Sequence, residues 1–377
     1  MDGFQFSKEE LQRYSRHLVL PEFNIRGQRK LKKSKVLVVG AGGLGCPMLL
    51  YLTAAGVGTI GIIDFDVVDV SNLQRQVLFT EDDVGKSKAK VAIQKLSRLN
   101  PHIKFRLYET KLTSRNAMDI LKDYDVVADG TDNFPTRYLV NDACVLLNKT
   151  NVHGSIFRFE GQVSVFNFQY EDGSTGPQYR DIFPTPPPPG LVPNCAEGGV
   201  LGVLPGIIGS FQASEVIKVL TGVGAPLAGK LFVFDALSFE TRIMKISKNP
   251  DVQPITELID YEDFCGVLNS DDIPEITAKA LHALLKNQSG QVRIIDVREP
   301  HEFEAGNLGG ILLPLGTLGD RLHEISSAEK NIVICRSGTR SGKAVKMLVS
   351  RGFENVFNLK GGLLKWAEEI DRSMVVV

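Results

Sequence analysis

The first 150 residues alternate between short strand-like runs and longer stretches with helical spacing. KVLVVG (35–40), TIGIID (59–64), IKFRLYE (103–109) and DVVADG (125–130) read as strands. AGGLGCPMLLYLTAAG (41–56), KSKAKVAIQKLSRLN (86–100), RNAMDILKDY (115–124) and PTRYLVNDACVLLNK (135–149) read as the helices between them, and residues 7–32 carry helical spacing ahead of the first strand. Apolar strands alternating with helices predict a parallel, doubly wound sheet. After residue 151 the rhythm changes. NVHGSIF (151–157), GQVSVFNF (161–168), KLFVFDA (230–236) and ETRIMKI (240–246) are strand runs with few helices between, which predicts an antiparallel extension of the sheet. GVLGVLPGIIGSF (199–211) continues into Gln212, Glu215 and Lys218, so it reads as a buried helix rather than a membrane span. The proline run FPTPPPPGLVPN (183–194) admits neither a helix nor a central strand and predicts an extended surface crossing. Residues 249–272 are polar, contain Pro250 and Pro254, and read as a linker; a second, smaller α/β pattern follows. The division is therefore a domain over 1–248, a linker over 249–272 and a domain over 273–377.

Composition narrows the classes. At 377 residues and 43% hydrophobic, the chain has material for two or three cores. A net charge of -1 offers no electrostatic footprint for nucleic acid. The opening MDGFQFSKEELQRY has acids and no apolar block, so no signal peptide is expected. Cysteines at 46, 144, 195, 265 and 335 form no CxxC pair and read as reduced cytoplasmic thiols.

The candidate chemistry begins at GAGGLG (40–45). Gly40, Gly42 and Gly45, with Gly43 between them, fit the G-x-G-x-x-G pattern at a strand-to-helix turn, where backbone N–H groups and a helix N-terminus approach a phosphate. One reading is NAD, with Asp64 at the end of the second strand on the ribose. The next residues favour a triphosphate. DFDVVDVSNLQRQ (64–76) supplies Asp66, Asn72, Arg75 and Gln76, GKSK supplies Lys88, and DGTDN supplies Asp132 and Asn133 at another strand end. Cations near phosphates and an aspartate for Mg²⁺ suit phosphoryl-group chemistry.

These motifs, together with NCAEGGVLG, resemble the MoeB/ThiF family, relatives of ubiquitin-activating enzymes. The resemblance covers about residues 5–248 and implies a Rossmann-like mixed sheet and ATP-dependent adenylation of a small ubiquitin-like sulfur carrier ending in Gly-Gly. It implies Asp64 on ribose, Asn72, Arg75 and Lys88 on phosphates, and Asp132 on Mg²⁺. RYSR (13–16) resembles the family segment that reaches into a partner subunit, which implies a homodimer with Arg16 acting across the interface. Cys195, in VPNCAEGG, matches a loop cysteine that some members use to bond the carrier covalently. The family's two CxxC pairs for zinc are not kept. Gln178 and Asp181 stand at one, and Glu262 with Cys265 at the other, so no zinc is expected.

VRIIDVREPHEFEAGNLGGILLPLG (292–316), NIVICRSGTRSGKAVKMLVSRGF (331–353) and VFNLKGGLLKWAEE (356–369) resemble a rhodanese domain. Cys335 sits where a strand gives way to a helix, and the loop Arg336, Ser337, Gly338, Thr339 and Arg340 follows. Loop N–H groups, the helix N-terminus and the two arginines favour a thiolate and hold a persulfide. Phosphatase loops of this type have five residues between Cys and Arg, whereas this one has four, and the smaller ring favours sulfur. Asp296 and Arg298 are expected to brace the loop, and His301 to lie at the surface. Such a fusion resembles the MoeZ-type enzymes of molybdopterin, thiamine and tRNA thiolation pathways, with a persulfide donor such as a cysteine desulfurase. An NAD-dependent oxidoreductase with an appended rhodanese domain and a non-catalytic scaffold for a ubiquitin-like protein are the alternatives.

Overall fold

The computed structural model describes residues 5–187, 199–265, 273–286, 292–326 and 329–376. The chain divides into two compact units, and residues 249–265 cluster with the first.

The first unit is built on one eight-stranded sheet. Its strands are β1 (Lys35–Val39), β2 (Thr59–Ile63), β3 (Lys104–Tyr108), β4 (Val126–Asp129), β5 (Thr150–Phe157), β6 (Glu160–Phe166), β7 (Lys230–Asp235) and β8 (Thr241–Lys245). Their order is β3-β2-β1-β4-β5-β6-β7-β8. From β3 to β5 neighbours are parallel, and from β5 to β8 antiparallel, as the change of rhythm after residue 151 predicts. The apolar sequence of β1 is matched by burial of its last four residues. One core on one face of the sheet gathers Val38, Leu49, Ile60 and Ile208, and a second gathers Leu37, Val127, Tyr138 and Tyr179. Alternate residues of β1 thus feed opposite cores.

The helices start where local chemistry allows. The glycine segment delays its helix to Gly45–Ala55, which ends at Gly56 with φ 91°. Residues 7–32 form three helices rather than one, Lys8–Arg13, Ser15–Leu18 and Asn24–Lys33. Pro21 lies in the break before the third, where continuing helix would need an N–H it lacks. The proline crossing is described only as far as residue 187.

Residues 249–265, read from sequence as the start of a linker, are fastened by side chains. The helix Tyr261–Phe264 brings the Tyr261 hydroxyl to donate to Asp142 Oδ2 at 2.8 Å. Asp142 also takes a two-pronged bond from Arg180, 2.9 Å from Nε and 2.7 Å from Nη2. The Arg180 guanidinium lies over the rings of Tyr138 and Phe264, at 5.0 and 4.8 Å.

The second unit holds a five-stranded parallel sheet of β9 (Glu275–Ile276), β10 (Val292–Asp296), β11 (Ile311–Leu312), β12 (Lys330–Ile334) and β13 (Val356–Leu359), in the order β11-β10-β12-β13-β9. β12 is central and buried after its first residue, and the next residue is Cys335.

Removing Asp142 leaves Arg180 charged and largely covered without its partner. Asp142→Ala is expected to lower the free energy of unfolding by about 3–5 kcal/mol, and Tyr261→Phe by only about 1 kcal/mol. Urea unfolding of the full chain reads both; equal effects would contradict the network.

Candidate functional site

The order of the sheet reverses at β1 and β4, so the connections leaving β1 and β4 diverge to opposite sides and open a crevice at their C-terminal ends. Gly40 follows β1 with φ +92°, a region that glycine enters without penalty. A Cβ there would lie 3.2 Å from the Gly130 carbonyl oxygen after β4, and one on Gly45 would lie 2.0 Å from the Gly40 carbonyl oxygen. Gly45 therefore serves the close approach of helix to turn and is not in the cleft wall, whereas Gly40, Gly42 and Gly43 are.

Asp64, after β2, ties this turn to the next loop. Its carboxylate accepts from Ala41 N at 2.7 Å and from Asp66 N at 2.8 Å. Burial pushes the Asp64 carboxyl above its ordinary value, and the two backbone bonds oppose that. Lys88 opens the helix Lys88–Leu99 and pairs with Asp66 at 3.0 Å. Arg75 donates to the Ser71 carbonyl at 2.9 Å. Gln76 is buried, with its Oε1 unpaired among the described residues.

Across the cleft stand Asp132 and Asn133. Asp132 is exposed and makes no hydrogen bond or ion pair among the described residues. The Asn133 side chain caps the helix Phe134–Leu146, accepting from Thr136 N at 3.0 Å. One cleft is thus lined by Gly40, Gly42, Gly43, Asp64, Asp66, Arg75, Gln76, Lys88, Asp132 and Asn133. It encloses about 890 Å³, counting open solvent at its mouth. Asn72 is not in its wall; its Oδ1 accepts from Asp69 N in a short turn. Arg16 is exposed on the helix Ser15–Leu18 and does not line this cleft. Cys195 lies outside the described residues.

Two features escape the sequence motifs. Arg137 lines the cleft one helical turn after Asn133, its Nη2 3.3 Å from the Thr131 carbonyl and its buried Nε unpaired among the described residues. Beneath the same loop, Asp129 accepts from Thr131 N at 3.0 Å and Thr131 Oγ1 at 2.6 Å, and lies 3.1 Å from His153 Nδ1. Burial lowers the pKa of the His153 ring, against the pull of Asp129. Burial opposes the Asp129 charge, yet its bonds from His153 and Thr131 hold the carboxyl below its ordinary range. The pair is a neutral imidazole donating to a carboxylate.

The residues that stand where the resemblance implies zinc thiolates make contacts of their own. Gln178 Oε1 accepts from Asn141 at 2.9 Å, and Asp181 accepts from Gln178 N at 2.7 Å and Asn249 N at 2.9 Å. Glu262 pairs with Lys111. Cys265 is buried, and burial pushes its thiol up to about 11.

In the second unit, Cys335 Sγ is buried inside a ring of donors, with Gly338 N at 3.2 Å, Ser341 N at 3.3 Å and Ser341 Oγ at 3.2 Å. Gly338, with φ +90°, turns the loop into the helix Thr339–Ser350. A second helix, Gly362–Glu369, braces the loop from outside: Leu363 N donates to the Cys335 carbonyl and Leu364 N to that of Arg336. Ser337 and Thr339 hydroxyls pair at 3.2 Å at the surface. Arg298 and Asp296 form a buried pair at 2.7 Å, and Arg298 also donates to the Gly306 carbonyl.

One expectation needs correction. Arg340 does not stand beside the sulfur as an uncommitted cation. Both its terminal nitrogens reach the Glu302 carboxylate at 2.6 Å. Burial resists the Glu302 charge, but Arg340 holds its carboxyl below the ordinary range. The groups that reach the sulfur are the expected loop N–H donors, from Gly338 and Ser341, together with the Ser341 hydroxyl, one residue beyond the loop as read from the sequence.

A family model described as the ThiF family matches residues 14–255, well over half of the chain. The chain belongs to the ThiF family. A rhodanese-like domain matches residues 277–369. The probable adenylyltransferase/sulfurtransferase MoeZ of Mycobacterium tuberculosis is 48% identical over 379 residues, covering 98% of this chain and 96% of that protein. The adenylyltransferase and sulfurtransferase MOCS3 of Drosophila grimshawi is 43% identical, covering 100% of this chain and 88% of that protein. A Thermus thermophilus sulfur carrier protein adenylyltransferase is 53% identical, covering 70% and 99%. The E. coli MccB crystal structure superposes with a TM-score of 0.58 at 24% identity, covering 69% of this chain and 76% of that one, and shares the fold. This ThiF-family chain is an adenylyltransferase and a sulfurtransferase, which sets aside the oxidoreductase and scaffold readings.

Because folding lowers the His153 pKa, it favours the neutral ring. That contribution is present above the ordinary value of 6.5 and is lost as the pH falls below it. The full chain should therefore lose stability from neutral to mildly acid pH, and His153→Gln should lose less over the same interval. Parallel pH profiles would contradict the assignment.

Proposed function

We propose that the ThiF-family unit adenylates the C-terminal glycine of a ubiquitin-like sulfur carrier of the MoaD or ThiS kind, and that the rhodanese unit supplies sulfur from a Cys335 persulfide. A free carboxylate is a poor electrophile. Its attack on the α-phosphorus of ATP expels pyrophosphate and leaves an acyl-adenylate whose leaving group is AMP. The terminal sulfur of the persulfide then attacks the carbonyl and AMP departs. A thiol cleaves the resulting acyl disulfide and releases the thiocarboxylate. Cys195 is the residue proposed to bond the carrier covalently on this route, as thioester or acyl disulfide.

The observation that carries the adenylation half is the gathering of Arg75, Gln76 and Lys88 around one glycine turn, with Asp132 on the same cleft. In this reading the N–H groups of Gly42 and Gly43 face phosphate, those of Gly40 and Ala41 being engaged by the Ile63 carbonyl and Asp64. Asp64 accepts from the ribose hydroxyls, since a carboxylate has about four lone-pair sites and the two backbone bonds leave room. Arg75 and Lys88 balance charge that grows on the phosphates, and Asn72 is read as a hydrogen-bond donor to them. Gln76, Asp66 and Asn133 shape the wall. Mg²⁺ is usually held by one or two carboxylates plus substrate phosphates, and the unengaged Asp132 fits that donor set. Bound there, it would neutralise phosphate charge. No zinc enters the reading, because Gln178, Asp181 and Glu262 already have partners.

On the sulfur side, the Gly338 and Ser341 donors hold the reactive atom of Cys335. Arg336, Ser337, Thr339 and Arg340 complete the loop. The reading extends to a homodimer in which Arg16 enters the partner's cleft, to a cytoplasmic location, and to a cysteine desulfurase as sulfur donor. The recipient pathway is molybdopterin, thiamine or tRNA thiolation. No helix among the described residues is long and apolar enough to cross a membrane.

Two experiments test these assignments. Asp132→Ala should abolish carrier-dependent ATP–pyrophosphate exchange and keep thiosulfate sulfurtransfer, while Cys335→Ala should do the reverse. Loss of both activities in either variant would sink the division of labour. Mixing Arg16→Ala with Asp132→Ala subunits should restore part of the exchange, because one hybrid cleft then has both residues. Mixed dimers that form and stay inactive would remove Arg16 from the partner's site.

A further inference from the structure

Behind Cys335 the Ser341 hydroxyl leads on to Asn358 and Glu275, side chains that the persulfide chemistry does not use. Ser341 Oγ lies between Cys335 Sγ, at 3.2 Å, and Asn358 Oδ1, at 2.6 Å. Ser341 and Asn358 are both buried, and Asn358 stands on β13 beside β12. The orientation of the Asn358 amide is not open. Its nitrogen donates to Glu275 Oε1 at 3.2 Å, and Lys360 holds Glu275 at 2.9 Å. The amide oxygen therefore faces Ser341 and can only accept.

A serine hydroxyl has one proton to give. While Cys335 is a thiol, every need is met: the S–H donates to Ser341 Oγ, and the Ser341 O–H donates to Asn358. Ionisation sends the thiol proton to solvent and reverses the demand. The sulfur now needs the Ser341 proton, and if it takes it, the buried Asn358 oxygen loses its donor. Leaving a buried acceptor unpaired costs free energy.

We propose that Asn358, oriented by Glu275, is a positioning residue that competes with Cys335 for the Ser341 hydroxyl proton and thereby sets how much of Cys335 is thiolate. The inference concerns the cysteine of the sulfurtransferase unit, and its test needs no sulfur transfer. Other charges near the sulfur occur in pairs, Arg340 with Glu302 on the helix Pro300–Ala305 and Arg298 with Asp296 at the end of β10. Arg336 lies on the loop itself. None of these changes in the variants below.

The test is the pH dependence of Cys335 alkylation by iodoacetamide in the full chain, read on the Cys335 peptide by mass spectrometry. Asn358→Leu should lower the midpoint by about half a unit to one unit, the equivalent of one hydrogen bond. The same substitution in a Ser341→Ala background should leave the midpoint where Ser341→Ala alone puts it. If Asn358→Leu does not fold, Glu275→Ala removes the acceptor that orients the amide, lets it turn and should also lower the midpoint. In the Ser341→Ala background that shift should shrink to the effect of the lost charge. An unchanged or raised midpoint, or an equal shift with and without the Ser341 hydroxyl, overturns the proposal. Thiosulfate turnover measured alongside reports separately on the sulfurtransferase reading.

Discussion

The cleft of the first unit depends on how closely the glycine turn after β1 approaches the end of β4. A side chain at Gly40 would meet the Gly130 carbonyl, and one at Gly45 would meet the Gly40 carbonyl. With those two positions bare, the helix Gly45–Ala55 starts against the turn, and Asp64 reaches Ala41 N from the neighbouring strand. Each later feature inherits this spacing. Lys88 is aimed by Asp66, whose own N–H is held by Asp64. Asp132 is carried on a loop that Asp129 and His153 fix from below. Rigid strand ends thus carry the short loops that fix these charged groups along the cleft.

The second unit solves a related problem with a different device. Its sulfur is buried rather than exposed, and it is held mainly by backbone N–H donors. Arg340, at the end of the loop, is engaged by Glu302. The loop is clamped between the starts of two helices, Thr339–Ser350 and Gly362–Glu369. A site built from backbone donors and a hydroxyl offers hydrogen bonds to the sulfur without placing a fixed cation on it.

Much of this was legible in the chain. Parallel strands covered on both faces leave continuous apolar runs, so β1, β2 and β4 stand out, and their ends carry the glycines, Asp64 and Asp132. What stayed hidden depends on contacts distant in sequence. Glu302 lies 38 residues before Arg340, and no local pattern joins them. His153 reads as an ordinary strand residue until β5 is set beside β4 and the ring meets Asp129. Tyr261 and Asp142 are 119 residues apart, so a segment with linker composition hides a packed helix. Arg137 was within reach, since it falls one helical turn after Asn133 and so returns to the face that borders the cleft.

The claim at the centre of this account is that one chain both activates a carboxylate and replaces its oxygen with sulfur. The most direct measurement is the intact mass of a Gly-Gly-ended carrier after incubation with the full-length protein and a persulfide-charged donor, with and without ATP. The account predicts a carrier in which one C-terminal oxygen has become sulfur, formed only when ATP is present. A thiocarboxylate that forms equally well without ATP, or an adenylated carrier that accumulates and never gains sulfur, would contradict it.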